Sequence, residues 1–417
     1  MSESNVAALD RRLQSYRRLL ALTGLALVGA SYRLWLPQTD FPQVPALQAL
    51  VAAPRAIDYA LAIGIVVSLV AWLLSPKRLS TTAAWSVAAC ISASCLLDQH
   101  RFQPWAYQLI FTAIILATCE AKLAIRLLRV IVISIYVYSA LSKFNAPFMN
   151  ELGQNFLDVP LRWFGASAAL AEETRPWATL LFPLGELIVG LLLAIPQTRK
   201  PGVCLAALMH ASLLMVVGPW GLNHWPGVMI WNLLFLAQAP LLFWPAPLAP
   251  AKTEAETVVQ PPPDPAAARL VGILVAAFVL LLPLFEPFGY CDAWPGWALY
   301  ASHVSRADLY IDAAAAEALP PPLRPFLRET DEGNLRLDAA QWSLHALNVP
   351  IYPDARFQTG VALSVAQTYG IGWFCELRVQ AAADRRSGQR SEIRYRGPQQ
   401  MQAAAQRYRL NAQPRRR

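Results

Sequence analysis

Apolar residues fall in runs of about 17 to 22 separated by short polar stretches, the length a helix needs to cross the hydrocarbon core of a bilayer. Such runs lie at 19–36, 57–75, 80–97, 104–121, 124–143, 177–195, 202–218, 225–244 and 267–285, and predict about nine transmembrane helices. Basic residues gather between alternate pairs of runs: Arg11 to Arg18, Lys77 and Arg78, Lys122 to Arg129, Arg199 and Lys200, and Lys252 to Arg269. The positive-inside rule then places the N-terminus and these loops in the cytoplasm, with 37–56, 98–103, 144–176 and 219–224 outside. The arginines ahead of the first run read as part of a signal anchor rather than of a removed signal peptide.

The pattern changes after the bundle of 1–245. Residues 246–266 are rich in proline and poor in apolar residues, as in a cytoplasmic linker, and a last span at 267–286 carries the chain outside. Residues 287–400 then read as a small α+β domain. Alternating stretches at 306–311, 371–379 and 391–395 predict strands, the last two joined by a turn at 385–389, and 339–347 and 359–369 predict helices. Residues 401–417 form a basic tail, with Arg407, Arg409 and Arg415 to Arg417, expected to be solvated or to touch lipid headgroups. The fold class is therefore an all-α polytopic membrane helix bundle with a small C-terminal α+β extramembrane domain.

Composition agrees with a membrane protein. The chain is 56% hydrophobic and 15% charged, against roughly 25% charged in an ordinary soluble domain, and its mean hydropathy is +0.35. The net charge of +8 follows the loop pattern and forms no basic patch with interleaved aromatics, which argues against a nucleic-acid partner. The six cysteines lack metal or redox spacing; Cys291 and Cys375, both on the expected outer side, are candidates to pair. A phosphate-cradling glycine loop is absent.

Candidate chemistry centres on the stretch 136–147. In a helix Tyr136, Ser139 and Lys143 share one face, and Asn145-Ala-Pro147 breaks the helix just beyond. Two readings of Lys143 stand: an interfacial lysine snorkelling to the outer surface, or a desolvated amine able to act as a base. Glu186 falls near the middle of its span, where a carboxylate costs roughly 2.5 to 3.5 kcal/mol and requires a partner. His210 and Asn232, at similar depth on the next two spans, are the expected partners of a buried polar group. The outer loops add Asp98, His100 and His224, which would converge with Lys143 on an outward-facing pocket or else serve as interfacial anchors. Metal-ligand spacing is absent, so no metal site is assigned. Residues 144–176 carry Phe156, Trp163 and Phe164 and read as an interfacial helix over the end of the lysine helix.

The motif Tyr138-Ser-Ala-Leu-Ser-Lys143-Phe-Asn145, with Gly185-Glu186-x-x-x-Gly190, Thr198-Arg199-Lys-Pro-Gly202, His210 and an apolar span ending at Phe243, resembles the HTTM membrane domain, the family of bacterial relatives of vitamin K-dependent γ-carboxylase. More distantly it resembles the DoxX and MauE-type redox-associated membrane proteins. The resemblance covers about residues 10 to 245. It implies a base role for Lys143, an active site on the outer face and a quinone or other lipophilic substrate as cofactor or ligand. The chain lacks the large lumenal region with which the carboxylase handles protein substrates.

The leading expectation is a membrane enzyme or redox-associated protein of the inner membrane. Lys143, His100 and His224 would be catalytic, Tyr136, Ser139, Asn145 and Asp98 would line the pocket, and Glu186, His210 and Asn232 would form a buried polar group. The alternatives are a non-catalytic assembly protein presenting its C-terminal domain to a periplasmic partner, and a transporter. Membrane lipids are partners in every case.

Overall fold

The structure, a computed structural model, describes residues 3–166, 170–245 and 266–416. The predicted linker lies almost wholly outside these residues. Helices coincide with every predicted span: α1 (Glu3–Ala30), α2 (Ala56–Leu74), α3 (Lys77–Leu97), α4 (Pro104–Thr118), α5 (Ala121–Leu141), α7 (Leu181–Ala194), α8 (Arg199–Val217), α9 (Pro226–Phe243) and α10 (Ala266–Leu281), with the shorter α6 (Gly153–Trp163) between α5 and α7. Seven segments of the described residues are long and apolar enough to cross a membrane, and α4 is a shorter apolar helix. The long helix α1 carries Arg17 at its polar end, where the guanidinium donates to Ser75 O at 2.9 Å.

Breakers set the ends of these helices. Pro104 and Pro226 occupy first-turn positions, where a missing N–H costs nothing. The most enclosed of the seven apolar segments is α5, which packs against α7, α10, α1 and α4. One face of the bundle gathers the basic ends of α1, α5 and α8. The opposite face carries exposed Trp163, Phe164, Trp177, Trp220, Phe288 and Tyr290, an aromatic belt of the kind found at membrane interfaces.

The C-terminal domain sits on that aromatic face. Its five-stranded antiparallel sheet has β1 (Arg306–Ile311), β2 (Leu327–Glu329), β3 (Leu335–Leu337), β4 (Cys375–Gln380) and β5 (Glu392–Arg396), in the order β2-β3-β1-β4-β5. Helices α11 (Ala339–Leu347), α12 (Ala355–Thr368) and α13 (Gly397–Ala405) complete it. The hairpin β2–β3 was not legible in sequence because each strand is only three residues long. Cys291 and Cys375 are both unpaired, Cys375 being buried on β4.

Polar contacts bind the domain to the bundle. Gln99, in the loop between α3 and α4, donates to Asn411 O at 2.7 Å and accepts from Arg356 Nε at 2.7 Å, while Arg356 pairs with Asp292 at 2.5 Å. Asn348 caps the end of α1 by donating to Ala30 O at 2.8 Å. At Gly360 the loop before α2 approaches so closely that a Cβ would lie 2.7 Å from Val44 Cγ2.

The expected solvated tail is instead part of the fold. Arg415 is 6% exposed and its Nη1 lies 2.6 Å from Asp58 Oδ2, while the other Asp58 oxygen is 2.7 Å from Arg101 Nη1. Arg415 also donates to Ala53 O and Pro54 O at 3.0 Å. Asp58, in the first turn of α2, is fully buried, and a buried carboxylate demands compensating cations. Arg407 and Arg409 pack over Tyr395 and Tyr290. Sequence could not show the Arg415–Asp58 pair, because the two residues are hundreds of positions apart.

Replacing Arg415 with glutamine should leave Arg101 and Asp58 incompletely matched and cost about 3–5 kcal/mol of docking stability. Limited proteolysis should then cut near the tail while the isolated sheet remains protected; unchanged cleavage would show that the tail contributes no latch.

Candidate functional site

A cavity of about 690 Å³ lies where the bundle meets the C-terminal domain. Its floor is formed by α5, α7, α8 and α9, its side by the segment containing Phe148, Leu152 and Phe156, and its cover by Trp294, Tyr300, Leu344 and Ile351. Most of the wall is apolar, and Lys143 and His210 each centre a cluster of polar groups in it.

Lys143 builds the first cluster. The helix α5 ends at Leu141, and Lys143 lies in the turn that follows, its backbone N–H donating to Ala140 O at 3.0 Å. The side chain folds back over the last turn, where Nζ donates to Ser139 O at 3.0 Å and to Ser139 Oγ at 2.7 Å. A cation there satisfies a free carbonyl and suits the negative end of the helix dipole. Nζ also donates to both oxygens of Glu186, at 2.8 and 3.1 Å. Side-chain exposure is 3% for Lys143 and 16% for Glu186, so this is a largely desolvated ion pair, open on the carboxylate side.

Helix packing makes that contact possible. Gly190, one turn beyond Glu186 on α7, faces α5 so closely that a Cβ would lie 3.1 Å from Val137 Cγ2 and 3.3 Å from Tyr136 Cβ. Gly185, beside Glu186, has open space around it, so the close approach falls at Gly190. Beyond the lysine, Asn145 Nδ2 donates to Ser142 O at 2.5 Å and Oδ1 accepts from Phe148 N at 3.0 Å. This side chain ends one helical segment and starts the next. Ala146 N donates to Arg385 O at 2.8 Å, and Arg385 is held by Glu286 at 2.6 Å, so the turn before β5 fixes the chain above the lysine.

Tyr136, His210 and Asn232 make the second cluster, deeper in the bundle. Tyr136 OH lies 2.8 Å from His210 Nε2, and His210 Nδ1 lies 2.9 Å from Asn232 Oδ1. Asn232 Nδ2 donates to Val228 O at 2.9 Å, which leaves its oxygen as acceptor. Nδ1 of His210 is then the hydrogen-bearing nitrogen, and in the neutral ring Nε2 accepts from the tyrosine. Seven residues of helix separate Tyr136 from Lys143, about 10 Å along the axis. Glu186 lies within electrostatic reach of Tyr136 and His210.

The arrangement differs from the sequence expectation at four residues. Glu186 pairs with Lys143 instead of His210, because α7 packs directly on α5 at Gly190. Asn145 shapes the backbone and is absent from the cavity wall. Neither His100 nor Asp98 lines the cavity: Asp98 accepts from Val44 N and His100 N at 3.4 and 3.1 Å, holding the loop. His100 packs among Phe41 and Phe357, with Nε2 2.9 Å from Pro350 O, a contact with the C-terminal domain. Burial lowers its pKa to about 4 and raises that of Asp98 to about 6.

His224 does line the cavity. Its Nδ1 lies 3.3 Å from Tyr300 OH, the rings stack, and burial lowers its pKa. Sequence reasoning did not single out Gln103, Trp105, Trp231 or Tyr300, all of which line the wall. Gln103 Oε1 and Trp105 Nε1 are buried there with no hydrogen-bond partner among the described residues. Only the position of Gln103 beside the outer loop histidine hinted at it. Among the described residues no group of three or more histidine, cysteine, aspartate or glutamate side chains gathers as a metal site.

These features define an integral membrane protein with a cavity at the end of the bundle that bears an extramembrane domain. Residues 121–219, from the helix of Lys143 past His210, match the family model of methylamine utilisation protein MauE, the more distant of the resemblances read from sequence. No curated protein matches the chain, and no solved structure does.

Glu186→Gln should destabilise the protein by about 3–5 kcal/mol by stranding a buried ammonium, whereas Lys143→Met with Glu186→Leu should recover most of that loss. Thermal unfolding in detergent would decide; equal stability of the single variant and wild type would deny the pair its structural part. For His100, a folded pKa below the unfolded value means stability is full above about 6.5 and falls by up to about 1.4 kcal/mol per pH unit down to about 4. Asp98 opposes this, since its raised pKa favours the protonated fold. Subtracting the pH profile of His100→Gln from that of wild type should isolate the histidine slope; superimposable profiles would contradict it.

Proposed function

We propose that the protein binds a quinone-like or similar lipophilic ring compound in the outer-end cavity and exchanges a proton with it at the Lys143–Glu186 pair. The carrying observation is the paired, nearly dry ammonium and carboxylate set in a largely apolar cavity of suitable volume. The Glu186 carboxylate accepts the proton of a ring hydroxyl, and the adjacent Lys143 ammonium stabilises the resulting oxyanion. Lys143 thus supports the base more directly than it serves as one. Tyr136, His224 and Tyr300 offer hydrogen bonds to the far side of the ring, and Gln103 and Trp105 bring an unpaired acceptor and donor. The MauE match over this segment supports a redox-associated protein. The alternation of basic loops supports an inner-membrane location, with the cavity and C-terminal domain on the periplasmic side.

A second reading, an assembly protein docking a periplasmic partner, draws on the exposed Trp373 and Phe374 of the C-terminal domain. The polar cavity favours the first. Trp105, Trp225, Trp231 and Trp294 line it and would report occupancy. Titrating the purified protein with a short-chain naphthoquinone should quench tryptophan fluorescence saturably, and Lys143→Ala should weaken binding at least tenfold. Quenching that is non-saturable, or equal in the variant, would refute the proposal.

A further inference from the structure

A second cavity, of about 490 Å³, opens between α5, α7 and α10 on the other side of the lysine helix. Arg126, Arg129 and Arg199 stand at the basic end of it, and Val130, Ile133 and Val137 run along its length to Leu280. Among the described residues no carboxylate lines it. Among the described residues none of the three arginines has an ion-pair partner; Arg129 Nε donates to Leu242 O at 2.7 Å and Arg199 Nε to Leu193 O at 3.3 Å, leaving guanidinium nitrogens free. Arg129 is within electrostatic reach of Arg126, Arg199 and Arg12, so the cluster is a concentration of like charge awaiting an anion. From Arg126 to Tyr138 the groove follows twelve residues of helix, about 18 Å, close to the hydrocarbon depth of one leaflet.

We infer that this groove holds one anionic phospholipid. Its phosphate lies against Arg126, Arg129 and Arg199, and one acyl chain follows Val130, Ile133 and Val137 toward Leu280. A basic end alone would be ordinary interfacial charge, and an apolar groove alone would accept any lipid; their continuity in one cavity selects an anionic lipid by charge and a chain by shape. The site shares no residue with the Lys143 cavity. It braces the opposite face of α5.

The test uses full-length protein in phosphatidylcholine discs with or without phosphatidylglycerol, followed by native mass spectrometry. Wild type should retain one phosphatidylglycerol per chain in preference to phosphatidylcholine. The double variant Arg126→Gln with Arg199→Gln should lose that preference by about thirty-fold, from two headgroup contacts. Lys122→Gln with Lys200→Gln, exposed cations on the same face outside the groove, should keep it. Ile133→Trp, filling the groove beneath intact arginines, should also release the lipid. Equal loss in the lysine control, retention in Ile133→Trp, displacement by inorganic phosphate, or a second copy of the chain in place of the lipid would each overturn the inference. Unchanged thermal unfolding in phosphatidylcholine discs verifies that the variants are folded.

Discussion

A fully buried carboxylate, Asp58, holds the two parts of the molecule together. Removed from water it must be neutralised, and the structure does so with Arg101 from the bundle and Arg415 from the end of the chain. Because the second cation belongs to the C-terminal region, that region stays seated on the ends of the helices. The seating then covers the cavity, whose cover includes Trp294, Tyr300 and Ile351. Without the docked domain the Lys143–Glu186 pair would face open solvent, where an ion pair is worth little.

The same rule, that charge inside a membrane protein finds a partner or a function, organises α5. One face presents Tyr136, Ser139 and Lys143 to the cavity, where each is partnered by hydrogen bonds. The other presents Arg126 and Arg129 to a second groove with no carboxylate among the described residues of its wall. Two polar sites of opposite character thus flank a single helix. Gly190 and Asn145 set its position, the first by permitting contact with α7 and the second by turning the chain after Lys143.

The helical bundle was legible because membrane spans follow from local composition: each segment must satisfy its own backbone and bury its own side chains in lipid. The strands at 306–311 and 391–395 were legible from alternation, and the helix at 339–347 from its period. Lys143, Ser139 and Tyr136 were correctly grouped by helical spacing alone. Partnerships across the chain were not legible. Glu186 was known to need a partner, but depth along a span does not say which neighbouring helix packs against it, and the choice fell to Gly190. His100 read as a site residue because its loop is on the right side, yet its burial against Pro350 and Phe357 depends on where the C-terminal domain docks.

By itself, then, the sequence determined a polytopic helical membrane protein with a small α+β domain, and the helix face that Tyr136, Ser139 and Lys143 share. The tertiary structure alone decided that Lys143 meets Glu186, that Tyr136 meets His210, and that the basic tail is a buried latch instead of a solvated arm. The physical reason is range. Hydrophobic period and charge bias act over a few residues and are written locally, whereas the pairing of buried charges is a choice among distant partners that only packing resolves.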